Sequence, residues 1–254
     1  MLRQQLEPLA PRPDNLATMV FEAIRDSIVN ATIAPGSQVS EAWIASQLDV
    51  SKTPVREALL RLRHIGLVDP TPRGLRVIRP SVKAIRDAYE LRAGIEGVAG
   101  RYAANRATIE EHGHILLLAR SSLECAVARD GQAFRQCDRE FHQAIADATR
   151  NDILRQSIED SLILTSVLRE RDFEPSGDSV ACAQEHVDVA MAIQAGNPEA
   201  ASNSLTNHIL HVMSLVLGAR SASVALLDVN PEGIGTVVRV DEEEPDAEDT
   251  LRVD

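Results

Sequence analysis

Val50-Ser51-Lys52-Thr53-Pro54-Val55-Arg56-Glu57-Ala58-Leu59-Leu60-Arg61-Leu62 builds a helix whose first turn carries only small polar and cationic groups. Ser51 or Thr53 can accept hydrogen bonds from the orphan N–H groups of a helix start, and Pro54 sits near the first helical position, where a missing donor costs nothing. Val55, Leu59 and Leu62 recur at three- and four-residue steps. That spacing turns them to a core and leaves Lys52, Thr53 and Arg56 on another side. A short cationic turn presented this way suits a helix that reads DNA.

The flanking residues extend the pattern. Ser40 to Leu48 reads as a short helix with Trp43, Ile44 and Leu48 as its apolar side, and Asp49 to Ser51 as a tight turn into the next helix. Two helices joined so closely make a helix-turn-helix. Gly66 supplies a left-handed cap, after which Leu67-Val68-Asp69 and Leu75-Arg76-Val77-Ile78 read as strands around Pro70-Thr71-Pro72-Arg73-Gly74. A hairpin behind a recognition helix is a wing. Its tip presents Arg73 and Arg76 beside Gly74, where backbone can approach a phosphate or a narrow minor groove.

Residues 16–79 therefore resemble the winged helix of the GntR family of bacterial transcription regulators. The resemblance is carried by the opening helix around Ile24 to Ile33, Pro35-Gly36, Ser40-Glu41, the Ser51-to-Leu59 run with Leu62, Gly66-Leu67-Val68 and Gly74. It implies that Ser51, Lys52, Thr53 and Arg56 contact an operator in double-stranded DNA, assisted by the wing. Two residues depart from the family pattern: Lys52 replaces the usual arginine, and Ala42 replaces a further arginine found in many members. A lysine cannot make a bidentate fork to a guanine edge, so base discrimination is weakened or differently centred.

The chain has 254 residues, enough for two domains with a core each. A net charge of −12 would by itself argue against nucleic acid, so its distribution decides. Residues 1–80 hold ten Lys or Arg against eight Asp or Glu, and residues 81–254 hold sixteen against thirty. Between 46 and 79 the count is seven against three, which concentrates positive charge on the proposed helix and wing. Cys125, Cys137 and Cys182 form no C-x-x-C pair, so neither a disulfide framework nor a cysteine zinc ribbon is expected. The first residues lack the apolar core of a signal peptide, and no uncharged apolar run is long enough to span a bilayer. The expectation is a soluble cytoplasmic protein with no membrane partner.

The expected division is an arm at 1–15, the winged helix at 16–79, an all-α antiparallel bundle at 80–220 and an acidic, disordered tail at 221–254. Six helices are predicted, near 82–106, 108–129, 132–149, 151–171, 179–195 and 198–220. Thr108 with Glu111 makes a capping box, Gly131 and Asn151 punctuate, and Asn197-Pro198 joins an N-cap to a proline start. Few aromatic residues occur here, so the core must come from Leu, Ile, Val and Ala. Asp241 to Asp249 holds seven acids in nine residues, the composition of a disordered segment. The fold class is mainly α.

Asp138 and His142 stand four apart, which on a helix sets a carboxylate and an imidazole on one face. His186 and His208 each neighbour inward-facing apolar positions such as Val187 and Ile209. By spacing alone, a surface pair and two core histidines remain as open as a shared cation. Residues 82–220 are similar to the effector-binding domain called FCD, of FadR-type GntR regulators, through Asp138 and His142, Glu185-His186, and Asn207-His208. The resemblance implies that Asp138, His142, His186 and His208 bind a divalent metal such as zinc or nickel. It also implies a cavity arginine at Arg92, which would hold the carboxylate of a small effector; the alternative is a surface pair of Arg92 with Glu96. His211, one turn past His208, is open between a supporting role and the surface.

The function these readings support is a homodimeric repressor whose operator affinity is set by a metal-bound carboxylate effector. Two other readings stay open: a regulator that senses acyl-CoA or another ligand without metal, and a metal-dependent enzyme. No separate general base is evident beyond Glu140 or Glu185, so the chain is expected not to be an enzyme.

Overall fold

The computed structural model describes residues 15–72, 74–169 and 177–227, with backbone alone at 15, 177 and 220–227. The arm at 1–14, the tip residue Arg73 and the acidic tail beyond 227 lie outside the described residues. Among the described residues, nine helices and three short strands follow one another in two bodies.

The first body opens with α1 (Asn15–Val29), then β1 (Gln38–Val39), α2 (Glu41–Leu48), α3 (Lys52–Ile65), β2 (Val68–Thr71) and β3 (Gly74–Val77). Ser40 caps α2 by accepting the Trp43 amide at 3.2 Å, and Asp49, at φ 50°, ends it in the left-handed region. Ser51 occupies the N-cap position of α3 but makes no side-chain capping bond, and Thr53 lies already inside the helix. The expected hydroxyl cap is therefore absent, which leaves the Ser51 hydroxyl uncommitted at the exposed start of α3. Pro54 and the Val55, Leu59, Leu62 face are buried, with Ala58 and Ile65 beside them. In α2 only Ile44 is buried; Trp43, about 100° round the helix, is 46% exposed and Leu48 also faces out. The apolar side expected of that helix is thus one residue wide, because a two-turn helix meets its neighbour over a single turn.

Gly66, at φ 85°, caps α3 and turns the chain into the wing. The first wing strand is one residue longer than expected, the second starts and ends one residue earlier, and the turn is tighter: Pro70 pairs with Leu75 and Thr71 with Gly74. Pro70 is tolerated because β2 is an edge strand in the order β1-β3-β2. Strand β1, two residues long, is too short for any alternating pattern to announce it; it pairs Gln38 with Arg76 and Val39 with Leu75.

The second body is a bundle of α4 (Val82–Arg106), α5 (Ile109–Val127), α6 (Gly131–Ala148), α7 (Asp152–Leu168), α8 (Gly177–Gln194) and α9 (Pro198–Leu227). The Thr108–Glu111 capping box forms in both directions, and Asn151 and Asn197 cap α7 and α9. Helix α9 runs seven residues past the expected end at 220, so residues 221–227 are helical and not part of an irregular tail. Helices α4 and α9 approach closely through Gly100, where a Cβ would stand 2.9 Å from the Ala201 carbonyl oxygen. Any larger residue there would push the two backbones apart.

The bodies share α7. Val167 is buried in the same apolar cluster as Val55, Leu59 and Leu62, and Ile163 and Leu164 pack against that cluster. Leu164 also lies against Gly66 and touches the cluster formed around Tyr89, Phe134 and Leu168. Among the described residues no helix is long and apolar enough to cross a membrane.

Candidate metal centre and nucleic-acid interface

All six bundle helices send a polar side chain to one buried centre. Asp138 and His142, four apart on α6, meet His186 from α8 and His208 from α9, and one donor atom from each lies within 4.8 Å of all the others. The three imidazoles are at most 2% exposed. Phe141 stacks on His186 with centroids 4.5 Å apart, which fixes the ring plane.

The outer partners decide which ring nitrogens are free. Ser122 on α5 donates its hydroxyl proton to the Ala119 carbonyl at 2.7 Å, so at 3.0 Å from His186 Nδ1 it can only accept. His208 Nδ1 donates to Glu185 Oε2 at 2.8 Å, and His142 Nδ1 to Glu96 Oε2 at 2.5 Å. In the neutral rings each Nε2 is then a bare lone pair. His186 Nε2 and His208 Nε2 face each other at 3.1 Å, with Asp138 Oδ1 3.4 Å from the former. His142 Nε2 is buried without a hydrogen-bond partner among the described residues. Four acceptors aimed at one another repel; a single cation between them resolves the conflict. The donor set of three imidazoles and one carboxylate suits zinc, nickel or a similar borderline ion.

Electrostatics agree with this arrangement. Burial opposes ionisation of Asp138, but its closeness to His186, Arg169 and His142 outweighs it and holds the carboxyl well below its usual range. Burial likewise opposes the Glu96 charge, yet Arg92 and His142 pull that pKa down to about 2. Burial pushes His186 down, with Asp138 only partly compensating, and burial with two neighbouring imidazoles pushes His208 well down. The carboxylates are charged and these two rings neutral near neutral pH, the states that metal ligation requires.

Arg92 takes neither of its two expected places cleanly. It does pair with Glu96, Nε to Oε1 at 2.5 Å, but the pair is buried, with Arg92 only 3% exposed. Nη1 reaches Thr165 Oγ1 on α7 at 3.5 Å, and Nη2 has no hydrogen-bond partner among the described residues. Arg169, at the end of α7, stands 3.8 Å from Asp138 Oδ2. Glu96, Ser122, Glu185, Thr165 and Arg169 complete the site; Glu96 was expected only as a surface partner of Arg92 and Glu185 only within the Glu185-His186 motif or as a possible base, while Ser122, Thr165 and Arg169 carried no local signal. Only the Arg92–Glu96 spacing is local; the other contacts span tens of residues.

On the first body Ser51, Lys52, Thr53 and Arg56 are all exposed on one end of α3. Arg56 is not free: it forks onto Glu41 of α2, Nε to Oε1 at 2.9 Å and Nη2 to Oε2 at 2.8 Å. Gly74, at φ 119°, opens β3, and Arg76 is exposed on the same strand; Arg73 lies outside the described residues.

Two family models match the chain: "Bacterial regulatory proteins, gntR family" over residues 16–74 and "FCD domain" over residues 87–211. A curated relative, the "Probable D-xylose utilization operon transcriptional repressor" of Paenarthrobacter nicotinovorans, is 31% identical over 203 residues, 76% of this chain and 86% of its own. The chain belongs to the GntR family of bacterial transcription regulators. Another relative, the "HTH-type transcriptional repressor RspR" of Escherichia coli K12, is 25% identical over 221 residues, covering 84% of this chain and 92% of its own. The solved structure of E. coli McbR/YncC has the same fold, with a TM-score of 0.66 at 19% identity over 81% of this chain and 99% of that one. As a GntR regulator with an FCD domain, the protein is a DNA-binding transcription regulator and not an enzyme.

Proposed function

We propose that this GntR regulator is a cytoplasmic, homodimeric repressor that releases its operator when a small carboxylate binds beside a divalent ion in the bundle. The observation that carries the reading is the set of Nε2 lone pairs on His142, His186 and His208, aimed together with Asp138 at one buried point. A divalent ion held there, zinc or nickel, supplies open coordination positions to an anionic ligand. Arg92 offers its unpaired Nη2 to the same ligand, while its bond to Glu96 keeps the guanidinium in place.

In this reading Ser51, Lys52, Thr53 and Arg56 face the major groove, and Arg73, Gly74 and Arg76 the adjacent backbone or minor groove. Two copies would place two such helices on the half-sites of one operator. Helix α7 links the ends: Thr165 and Arg169 stand at the site, and Ile163, Leu164 and Val167 support the winged helix. A ligand that shifts α7 changes the footing of α3, and DNA must affect ligand affinity by the same factor.

Elemental analysis of purified protein tests the metal: about one divalent ion per chain is expected at this centre, and His142→Ala and His186→Ala should each lose that equivalent. A screen of small carboxylates by thermal shift, with and without chelator, should give hits only in the metal-loaded protein. Protein that holds no ion and gains no stability from zinc or nickel would overturn the reading.

A further inference from the structure

Behind His208 lies a second group of metal donors. Cys182 and Glu185 stand three apart on one face of α8, and His211 reaches them from α9; a sulfur, an oxygen and a nitrogen from the three lie within 4.8 Å of one another. We propose that Cys182, Glu185 and His211 form a second, thiolate-containing site for a zinc-like divalent cation, separate from the Asp138, His142, His186, His208 centre.

Three observations lead there. The first is the donor set: thiolate, imidazole and carboxylate together fit a borderline-soft ion of the zinc type, whereas magnesium and calcium take oxygen alone. The second is access, since Cys182 is buried while Glu185 and His211 are half-buried, so the sulfur forms the floor and the other two donors open toward solvent. The third is connection: Glu185 accepts from His208 Nδ1 at 2.8 Å and from His211 Nδ1 at 2.7 Å, so one carboxylate already bridges an imidazole of the first centre and the imidazole of this one.

A cation bound there displaces the thiol proton of Cys182 to solvent, and the ring proton of His211 moves from Nδ1 to Nε2 so that the Nδ1 lone pair can coordinate. Zinc bonds of about 2.0–2.1 Å to nitrogen and oxygen at a tetrahedral angle separate those two atoms by roughly 3.4 Å. The Glu185–His211 contact of 2.7 Å must therefore open by roughly 0.7 Å, a small rotation for two half-buried side chains. Glu185 Oε2 stays on His208, so the same carboxylate that orients an imidazole of the first centre would bind the second ion.

Cobalt(II) titration of the full-length, metal-stripped protein tests this directly. The first centre contains no sulfur, so a near-ultraviolet thiolate-to-cobalt charge-transfer band reports the second site alone. The band should rise with one cobalt equivalent, vanish in Cys182→Ser and in His211→Ala, and persist in Cys125→Ser/Cys137→Ser. His142→Ala should remove the sulfur-free equivalent and keep the band, so failure of the first centre and failure of this site are read apart. His211 is only half-buried, so His211→Ala tests the site even if Cys182→Ser fails to fold. Cobalt bound without the band, or a band that survives both substitutions in folded protein, would overturn the proposal.

Discussion

Glu96 shows most clearly how one residue serves two neighbours. One oxygen takes Arg92 Nε and the other takes His142 Nδ1, so a single buried carboxylate orders a guanidinium and fixes the tautomer of an imidazole 46 positions away. Glu96→Gln keeps the shape and removes the charge. Outer partners of this kind are worth about 10- to 100-fold in metal affinity, and a loss of that size is the expected outcome in a calorimetric titration. An unchanged affinity would mean that the His142 ring is held by packing alone. The same residues set a pH dependence. His186 and His208 have lowered pKa values in the fold, so the unfolded chain binds more protons below about 6.5 and the metal-free protein should lose stability as pH falls through that value. Glu96, lowered to about 2, adds a further loss as pH falls below about 4.5 toward 2. Denaturant midpoints measured between pH 8 and 4 should therefore decline steadily toward acid; a flat profile would place the rings in contact with water.

At the scale of elements, α3 is fixed from both sides. Its Val55, Leu59 and Leu62 face is buried, and its outer Arg56 is forked by Glu41 across the turn from α2. That fork supports two roles for Arg56, a brace between helices and a DNA contact waiting for its partner. Arg56→Ala and Glu41→Ala together separate them. If Arg56 reads DNA, its loss should weaken operator binding about 10- to 100-fold, while Glu41→Ala, which frees the guanidinium, should leave binding equal or tighter. Equal weakening in both, measured by fluorescence anisotropy on folded protein, would make the pair a brace only. Lys52 belongs to the same turn. Lys52→Arg should sharpen preference for a guanine in a binding-site selection, because the planar fork replaces a point charge; the same selected sequence from both proteins would assign Lys52 to phosphate.

Across the whole molecule, α7 is the element that both bodies use. Leu164 touches the winged-helix cluster, Gly66 and the bundle cluster at once, one position from Thr165, which meets Arg92. Leu164→Ala should leave metal content and operator affinity nearly unchanged while reducing the factor by which an effector alters operator affinity. Typical coupling factors are about 5 to 150, so a fall toward 1 is measurable in an effector titration of the protein–DNA complex. Coupling equal to wild type would route communication elsewhere.

Much of this architecture is local and was therefore legible in the sequence. Helix α3, the Gly66 cap, the Thr108–Glu111 box and the six bundle helices follow from side-chain period and terminal chemistry within a few residues. The shared face of Asp138 and His142 is of the same kind, since helical geometry sets it. What tertiary structure alone decided is which distant groups meet: β1 with β3, Arg56 with Glu41, Glu96 with His142, Ser122 with His186, and Cys182 and Glu185 with His211. The identity of a residue sets what it can donate or accept, but whether a partner is present depends on how helices tens of residues apart pack. Close approach at Gly100 and the burial of Val167 under α3 are set by that packing, and so is the burial that turns the Arg92–Glu96 pair from a surface contact into part of the site.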